Sequence, residues 1–348
     1  MAKHELTTTN RPLSLTAAVP VPALIESAGR KTKKRFVEFF AAEIRNRNTR
    51  ESYMRNVDRF LAWCDLNGIQ SFEQIEPVVI AGYIEQKCPE VRSEKLAPID
   101  GGRPATPFVS DSSAKQHLAA IRRMFDYLIT GGLLEVNPAA AVRGPSVVID
   151  KGKTPIMTPD ELRMLLDSID TTKIAGLRDR ALIYLMFNTF GRVGAIITIQ
   201  VEDVFKRGDR YRIRLQEKGG KYLENWLSHK ASGYVTEYIA EAGLSKKRGT
   251  PLFRTLDRYR NLTNRALQRP EVLAMIKRRA KKVGINPETC SHSLRATGIT
   301  EYMKNGGTLE SAQRRAGHRS PRTTNIYNRA ADDDDDDEDE FECEKMGI

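Results

Sequence analysis

From Thr49 to about Asp65 the apolar positions Tyr53, Val57, Phe60, Leu61 and Cys64 recur at spacings of three and four, which places them on one face of a helix. The stretch from Ser112 to Ile129 follows the same rule. Its apolar stripe is Leu118, Ile121, Phe125 and Leu128, and Lys115, Arg122 and Arg123 stand among its polar positions. A shorter helix is expected from Phe72 to Gln86, and a helical segment is expected to begin near Arg35. The insert from Pro89 to Pro107, with four prolines and Gly101-Gly102, reads as a loop.

Further along, Thr158-Pro159-Asp160-Glu161 has the form of a helix start. The threonine hydroxyl can accept from the amide three residues on, proline fits the first turn, and the glutamate reaches back to the threonine amide. A second helix, from about Gly176 to Phe190, should deliver Arg192 just past its end. The period then drops from 3.6 to 2. Tyr211 to Leu215 alternates, Gly219-Gly220 supplies a two-residue turn, and Tyr222 to Leu227 returns, which describes a β-hairpin with Lys218 and Lys221 at its tip. From Asp257 to Tyr327 the chain reads as helices broken at Asn305-Gly306-Gly307 and at Gly317. The expected fold is mainly α with a small β-hairpin or sheet, and no internal repeat is visible.

These segments divide the 348 residues into five parts. Residues 1–32, rich in Thr, Pro and Ala and running into Arg30, Lys31, Lys33 and Lys34, read as a flexible basic arm. A helical domain covers 33–145, a linker 146–155, a second domain 156–331, and an acidic disordered tail 332–348. A hydrophobic content of 40% suffices for two ordinary cores.

Charge changes the picture more than hydropathy does. The formal net charge is +11, but residues 332–348 hold eleven acids, nine of them in the unbroken run Asp332 to Glu340, and one lysine. The remaining 331 residues carry 55 basic and 34 acidic side chains, a net of +21. A body that basic points to a polyanionic partner. Cys64, Cys88, Cys290 and Cys343 lack the paired spacing of a zinc site or disulfide framework, so reduced thiols inside a cell are expected. The apolar stretch near Leu15 to Ile25 is broken by Pro20 and Pro22 and does not read as a signal peptide, and no run approaches a transmembrane length.

Candidate chemistry gathers late in the chain. His292-Ser293-Leu294-Arg295 is followed by Gly317-His318 and then by Tyr327, with Arg192, Lys218 and Lys221 upstream. A phenol is a poor nucleophile until the phosphodiester it attacks is neutralised, and a tyrosine ringed by cations meets that requirement. The His-x-x-Arg spacing puts His292 and Arg295 on one helical face. No acidic cluster suggests a metal site, and Asp332 to Glu340 lacks the punctuation of a calcium loop.

This ordered set resembles the tyrosine recombinase, or phage integrase, family over about residues 35 to 330. Gly176-Leu177-Arg178-Asp179-Arg180-Ala181 and His318-Arg319-Ser320-Pro321-Arg322-Thr323-Thr324 are further family-like strings. The resemblance implies a helical core-binding domain and a catalytic domain forming a C-shaped clamp round duplex DNA. It implies Tyr327 as nucleophile, Arg192, His292, Arg295 and His318 around the phosphate, and Lys218 as general acid, with Lys221 the alternative lysine. Lys115, Arg122, Arg123 and Lys221 are the candidate DNA contacts. The activity implied is site-specific recombination through a 3′-phosphotyrosyl intermediate, without cofactor, metal or ATP. Four subunits would act on two recombination sites, with accessory DNA-bending proteins compatible, on a prokaryotic nucleoid in the cytoplasm. A type IB topoisomerase and a catalytically weakened DNA-binding protein are the alternatives. One position departs from the family pattern: where an acidic residue usually follows the first arginine by three, this chain has Ala195.

Overall fold

The computed structural model describes residues 21–86, 109–146, 154–216, 220 and 222–327. The chain divides into two compact units, Met1–Val148 and Ile149–Ile348. The Pro89–Pro107 insert, the acidic tail and most of the expected linker lie outside the described residues, as do Lys218 and Lys221.

The first unit is built of helices α1 (Ala23–Ser27), α2 (Gly29–Glu38), α3 (Arg47–Leu66), α4 (Pro77–Glu85) and α5 (Asp111–Thr130). Asn46 caps α3 by accepting from the Thr49 amide, and Ser110 caps α5 by accepting from Ser113. The stripes Val57, Phe60, Leu61, Cys64 and Leu118, Ile121, Phe125, Leu128 are buried against each other. Each such side chain contributes roughly 1.5–3 kcal/mol by leaving water. Phe72 to Gln86 is not one helix: a 3₁₀ turn at Phe72–Gln74 precedes α4, which restarts with Pro77 at its first position.

The N-terminal boundary differs from the sequence expectation. Helix begins at Ala23, ahead of both Arg35 and the arm limit at 32, because Leu24 and Ile25 insert into the same core as Phe36, Phe39 and Phe40. A five-residue helix with one apolar pair has no periodicity to betray it, and only tertiary packing holds it.

The second unit begins with α6 (Pro159–Asp167), whose Thr158 hydroxyl and Glu161 carboxylate form the expected reciprocal cap. It continues with α7 (Ile174–Thr189), α8 (Val193–Ile196), β1 (Val204–Arg207), β2 (Arg210–Gln216), β3 (Tyr222–Trp226), α9 (His229–Glu241), β4 (Arg254–Leu256) and β5 (Leu262–Ala266). α10 (Arg269–Lys282), α11 (Ser291–Lys304), α12 (Leu309–Ala316) and α13 (Pro321–Asn325) complete it. β2 and β3 form the expected hairpin, with Leu215 opposite Leu223, and β1 extends it to an antiparallel sheet ordered β1-β2-β3. The expectation of helices alone from Asp257 to Tyr327 fails at β5, which pairs antiparallel with β4. β5 was invisible because it shows no buried-exposed alternation; its register comes from the turn, where the Asp257 carboxylate accepts from the amides of Tyr259 and Asn261.

α7 is the axis of this unit, apolar nearly all round, with Leu177, Ala181, Leu182, Ile183, Leu185 and Met186 buried. Near its start the buried Asp179 carboxylate takes Arg178 on one oxygen and Arg279 on the other, at 2.7 and 2.6 Å, while Arg178 also donates to the Arg254 carbonyl at 2.8 Å. This network ties α10 and β4 to α7, and deleting one partner would cost on the order of 3–5 kcal/mol by stranding a buried charge. No helix among the described residues is long and apolar enough to cross a membrane.

Candidate active site

The end of α7 sets the geometry. Phe190 caps the helix in the left-handed conformation, with φ 56°, and so turns its carbonyl toward Arg295. Gly191 follows because a Cβ there would come within 2.6 Å of Ile196 Cδ1 and 2.9 Å of Thr189 Oγ1. The chain then delivers Arg192, exposed, at the start of α8. Ala195 is buried in α8 as part of the apolar core.

α11 crosses α7 at backbone contact. A Cβ on Gly298 would lie 2.2 Å from the Phe187 carbonyl oxygen, so only glycine permits the approach. One turn earlier, that approach seats Arg295 beneath the α7 terminus, 1% exposed. Its guanidinium donates to the carbonyls of Phe190 and, at 2.7 Å, Ala316, and to His318 Nε2 at 2.6 Å. Because a guanidinium only donates, His318 Nε2 must be the unprotonated nitrogen. Nδ1 then carries the proton and donates to Thr324 Oγ1 at 2.9 Å. His318 is accordingly neutral: burial, then the charges of Arg295 and Arg192 and the neighbouring His292, push its pKa down to about 3.

Gly317, at φ 62°, ends α12 and turns His318 inward. After the five residues of α13 the chain is pinned again. The Tyr327 amide donates to the Thr324 carbonyl at 2.9 Å, and its own carbonyl accepts from Thr300 Oγ1 at 3.1 Å. The Tyr327 ring stacks on His318, centroids 6.1 Å apart and 10° from parallel, and its hydroxyl lies 2.7 Å from His292 Nε2. Burial raises the pKa of the phenol, and the positive charges of Arg295 and Arg192 oppose that rise. Desolvation of the ring, followed by the same two arginines, lowers the pKa of His292. The phenol and the imidazole thus share one hydrogen bond, with burial opposing the charged form of each.

Two residues that sequence reasoning missed hold the frame. Asn225, buried on β3, donates from Nδ2 to the Thr189 carbonyl at 3.0 Å and the Arg315 carbonyl at 3.1 Å. Arg315 donates from Nε to the Asn188 carbonyl at 2.9 Å and from NH2 to that of Trp226 at 3.1 Å. Together they lock the hairpin strand to the end of α7 and to α12. The available signal was Asn225 itself, a polar residue at an inward position between Leu223 and Leu227.

Of the candidates in the first unit, Lys115 is exposed on α5. Arg122 donates to the carbonyls of Ala139, at 3.0 Å, and Val142, and Arg123 pairs with Glu43. Arg122 therefore braces the segment after α5.

A helical unit that closes two arginines and two histidines round one tyrosine hydroxyl defines a tyrosine-type DNA strand transferase. Residues 155–334, over half the chain and all of this cluster, match the phage integrase family, and the chain belongs to that family, the tyrosine recombinases. Among similar curated proteins, tyrosine recombinase XerD of Corynebacterium glutamicum is 27% identical over 82% of this chain and 88% of its own length. Tyrosine recombinase XerC of Thermodesulfovibrio yellowstonii is 25% identical over 80% and 85%. The XerH site-specific recombinase bound to a palindromic difH substrate superimposes with a TM-score of 0.62 at 19% identity, covering 87% of this chain and 82% of that one. A lambda integrase tetramer bound to a Holliday junction gives 0.57 at 19%, covering 84% and 75%. These two structures share the fold.

Proposed function

We propose that Tyr327 attacks a DNA phosphate to form the 3′-phosphotyrosyl bond through which this site-specific recombinase cuts and rejoins strands. The observation that carries the reading is the Tyr327 hydroxyl 2.7 Å from His292 Nε2, in a site that also holds the buried guanidinium of Arg295. His292 takes the phenolic proton as the oxygen attacks phosphorus. Arg192 and Arg295 clamp the non-bridging oxygens with planar, permanently charged forks, and His318 adds a hydrogen bond while fixing Arg295. Lys218 on the hairpin protonates the departing 5′ oxygen, with Lys221 as its rival for that role or a phosphate contact. The phosphotyrosyl bond conserves the phosphodiester's energy, so rejoining needs neither ATP nor a metal ion. Attack by a 5′ hydroxyl of the partner duplex, rather than of the same strand, makes the step recombination.

The substrate is duplex DNA carrying a specific site, and four subunits act on two duplexes in the cytoplasm, on the nucleoid. Lys115 is a backbone contact of the first unit; Arg122 and Arg123 contribute through the surface they brace. The test is Tyr327→Phe on a nicked suicide substrate. DNA binding should persist while covalent protein–DNA adducts vanish; adducts that persist would discard Tyr327.

A further inference from the structure

At the end of α7 remote from Tyr327, a cleft of about 750 Å³ opens between the loop entering that helix, the β4–β5 turn and α10. Five cationic side chains line it, Lys173, Arg260, Arg278, Arg279 and Lys282, against the single carboxylate Asp170. Asp170 is paired with Lys173 at 2.8 Å, and Arg279 is committed to Asp179. Lys282 donates to the Ser168 carbonyl at 3.2 Å, a partner without charge. Arg260 and Arg278 have no carboxylate at ion-pair distance among the described residues. Like charges gathered at one cleft repel, so an anion bound there relieves a standing electrostatic cost. The strand-exchange chemistry makes no use of this cleft, which lies at the opposite end of α7 from the Phe190 turn, 16 residues or about 24 Å of helix away.

The chain carries a matching anion of its own in the nine consecutive carboxylates Asp332 to Glu340. Their first member follows Tyr327 by five residues, and extended chain advances about 3.3 Å per residue, so the run reaches from roughly 17 to 43 Å beyond the tyrosine. The cleft falls inside that range. We propose that residues 332–340 dock in this cleft of their own subunit. Docking holds nine negative charges away from the basic surface round Tyr327, where they would otherwise compete with the DNA phosphate. It also cancels the repulsion among Arg260, Arg278 and Lys282. The tail is then a restrained segment whose release weakens DNA binding.

The test uses the full chain. A zero-length carboxylate–amine cross-linker applied to the native protein should join residues 332–340 to Lys173 and Lys282; cross-links confined to other lysines would overturn the proposal. Arg260→Glu with Arg278→Glu should weaken duplex DNA binding about tenfold at low salt and little at high salt. The same pair placed in a full-length variant with residues 332–340 changed to Asn and Gln should leave binding unchanged. Equal weakening in both backgrounds would mean that the cleft contacts DNA itself, and no weakening in either would mean that the tail does not dock there. Thermal unfolding of the charge-reversed protein checks that it folds, and the cross-linking result stands without any substitution.

Discussion

Each unit contains a tyrosine hydroxyl hydrogen-bonded to a histidine with an arginine nearby, and only one of these trios belongs to the proposed catalytic site. In the first unit Tyr83 meets His117 Nδ1 at 2.9 Å, and the Arg59 charge is felt by that histidine. In the second, Tyr327 meets His292 at 2.7 Å beside Arg295 and Arg192. Tyr83 is wholly enclosed, with Phe60 and Trp63 rings 5.1 and 5.4 Å from its own, so no phosphate can reach its oxygen. Around Tyr327 the histidine partner and Arg192 are both exposed, and a second histidine fixes the buried guanidinium. The lesson is that a tyrosine–histidine hydrogen bond is ordinary core chemistry; what converts it into a site is an open face and a preorganised cation.

The largest expected effect breaks the reactive pair without touching its tyrosine. Arg295→Lys keeps the charge but loses the fork that spans Phe190, Ala316 and His318, and should slow single-turnover cleavage of a suicide substrate by about 10³-fold. An unchanged rate would mean that the guanidinium is only structural, as Arg178 is.

The structural pair should instead reveal itself through pH. Burial, with a smaller contribution from Arg59, pushes His117 down to about 4 from its ordinary 6.5. As pH falls through that window the unfolded chain takes up the proton first, so stability present above 6.5 is lost toward pH 4, on the order of 3 kcal/mol for this one group. Urea unfolding of the wild type and of His117→Leu at several pH values checks it: the variant should lose part of the acid slope. A slope that does not change would place the acid sensitivity elsewhere.

Tyr83→Phe, which strands the His117 nitrogen in the core, should cost about 1–3 kcal/mol of stability and leave the cleavage rate of the folded protein alone. Loss of cleavage in a folded Tyr83→Phe protein would erase the distinction between the two pairs. The smallest effect concerns His292. Its pKa lies below 6.5, so the imidazole stays able to accept a proton under mildly acid conditions, and the acid limb of the single-turnover rate should fall below pH 6.5. A limb at or above that value would assign the base role to another group.

Much of this contrast could be read from the chain alone. The heptad-like stripes of α3 and α5, the Thr158 cap and the alternating hairpin are local patterns, and local patterns are what periodicity and capping chemistry encode. The order Arg192, His292, Arg295, His318, Tyr327 could be picked out through its resemblance to the tyrosine recombinases, and the fold brings His292, Arg295, His318 and Tyr327 together. What escaped was whatever depends on a partner distant in sequence. α1 is helix only because its two apolar residues find the core, and β5 is a strand only because β4 lies beside it. Asn225 and Arg315 matter only because three chain segments meet at their side chains.

The sequence by itself therefore determined the class of chemistry and the elements that carry it. Tertiary structure decided which tyrosine–histidine pair would keep an exposed histidine and which would be sealed. Gly298 let α11 press its backbone onto α7, Phe190 turned a carbonyl toward Arg295, and that arginine set the tautomer of His318. Each of these is a contact between residues 20 to more than 100 positions apart, and only packing in three dimensions can bring them within hydrogen-bond reach.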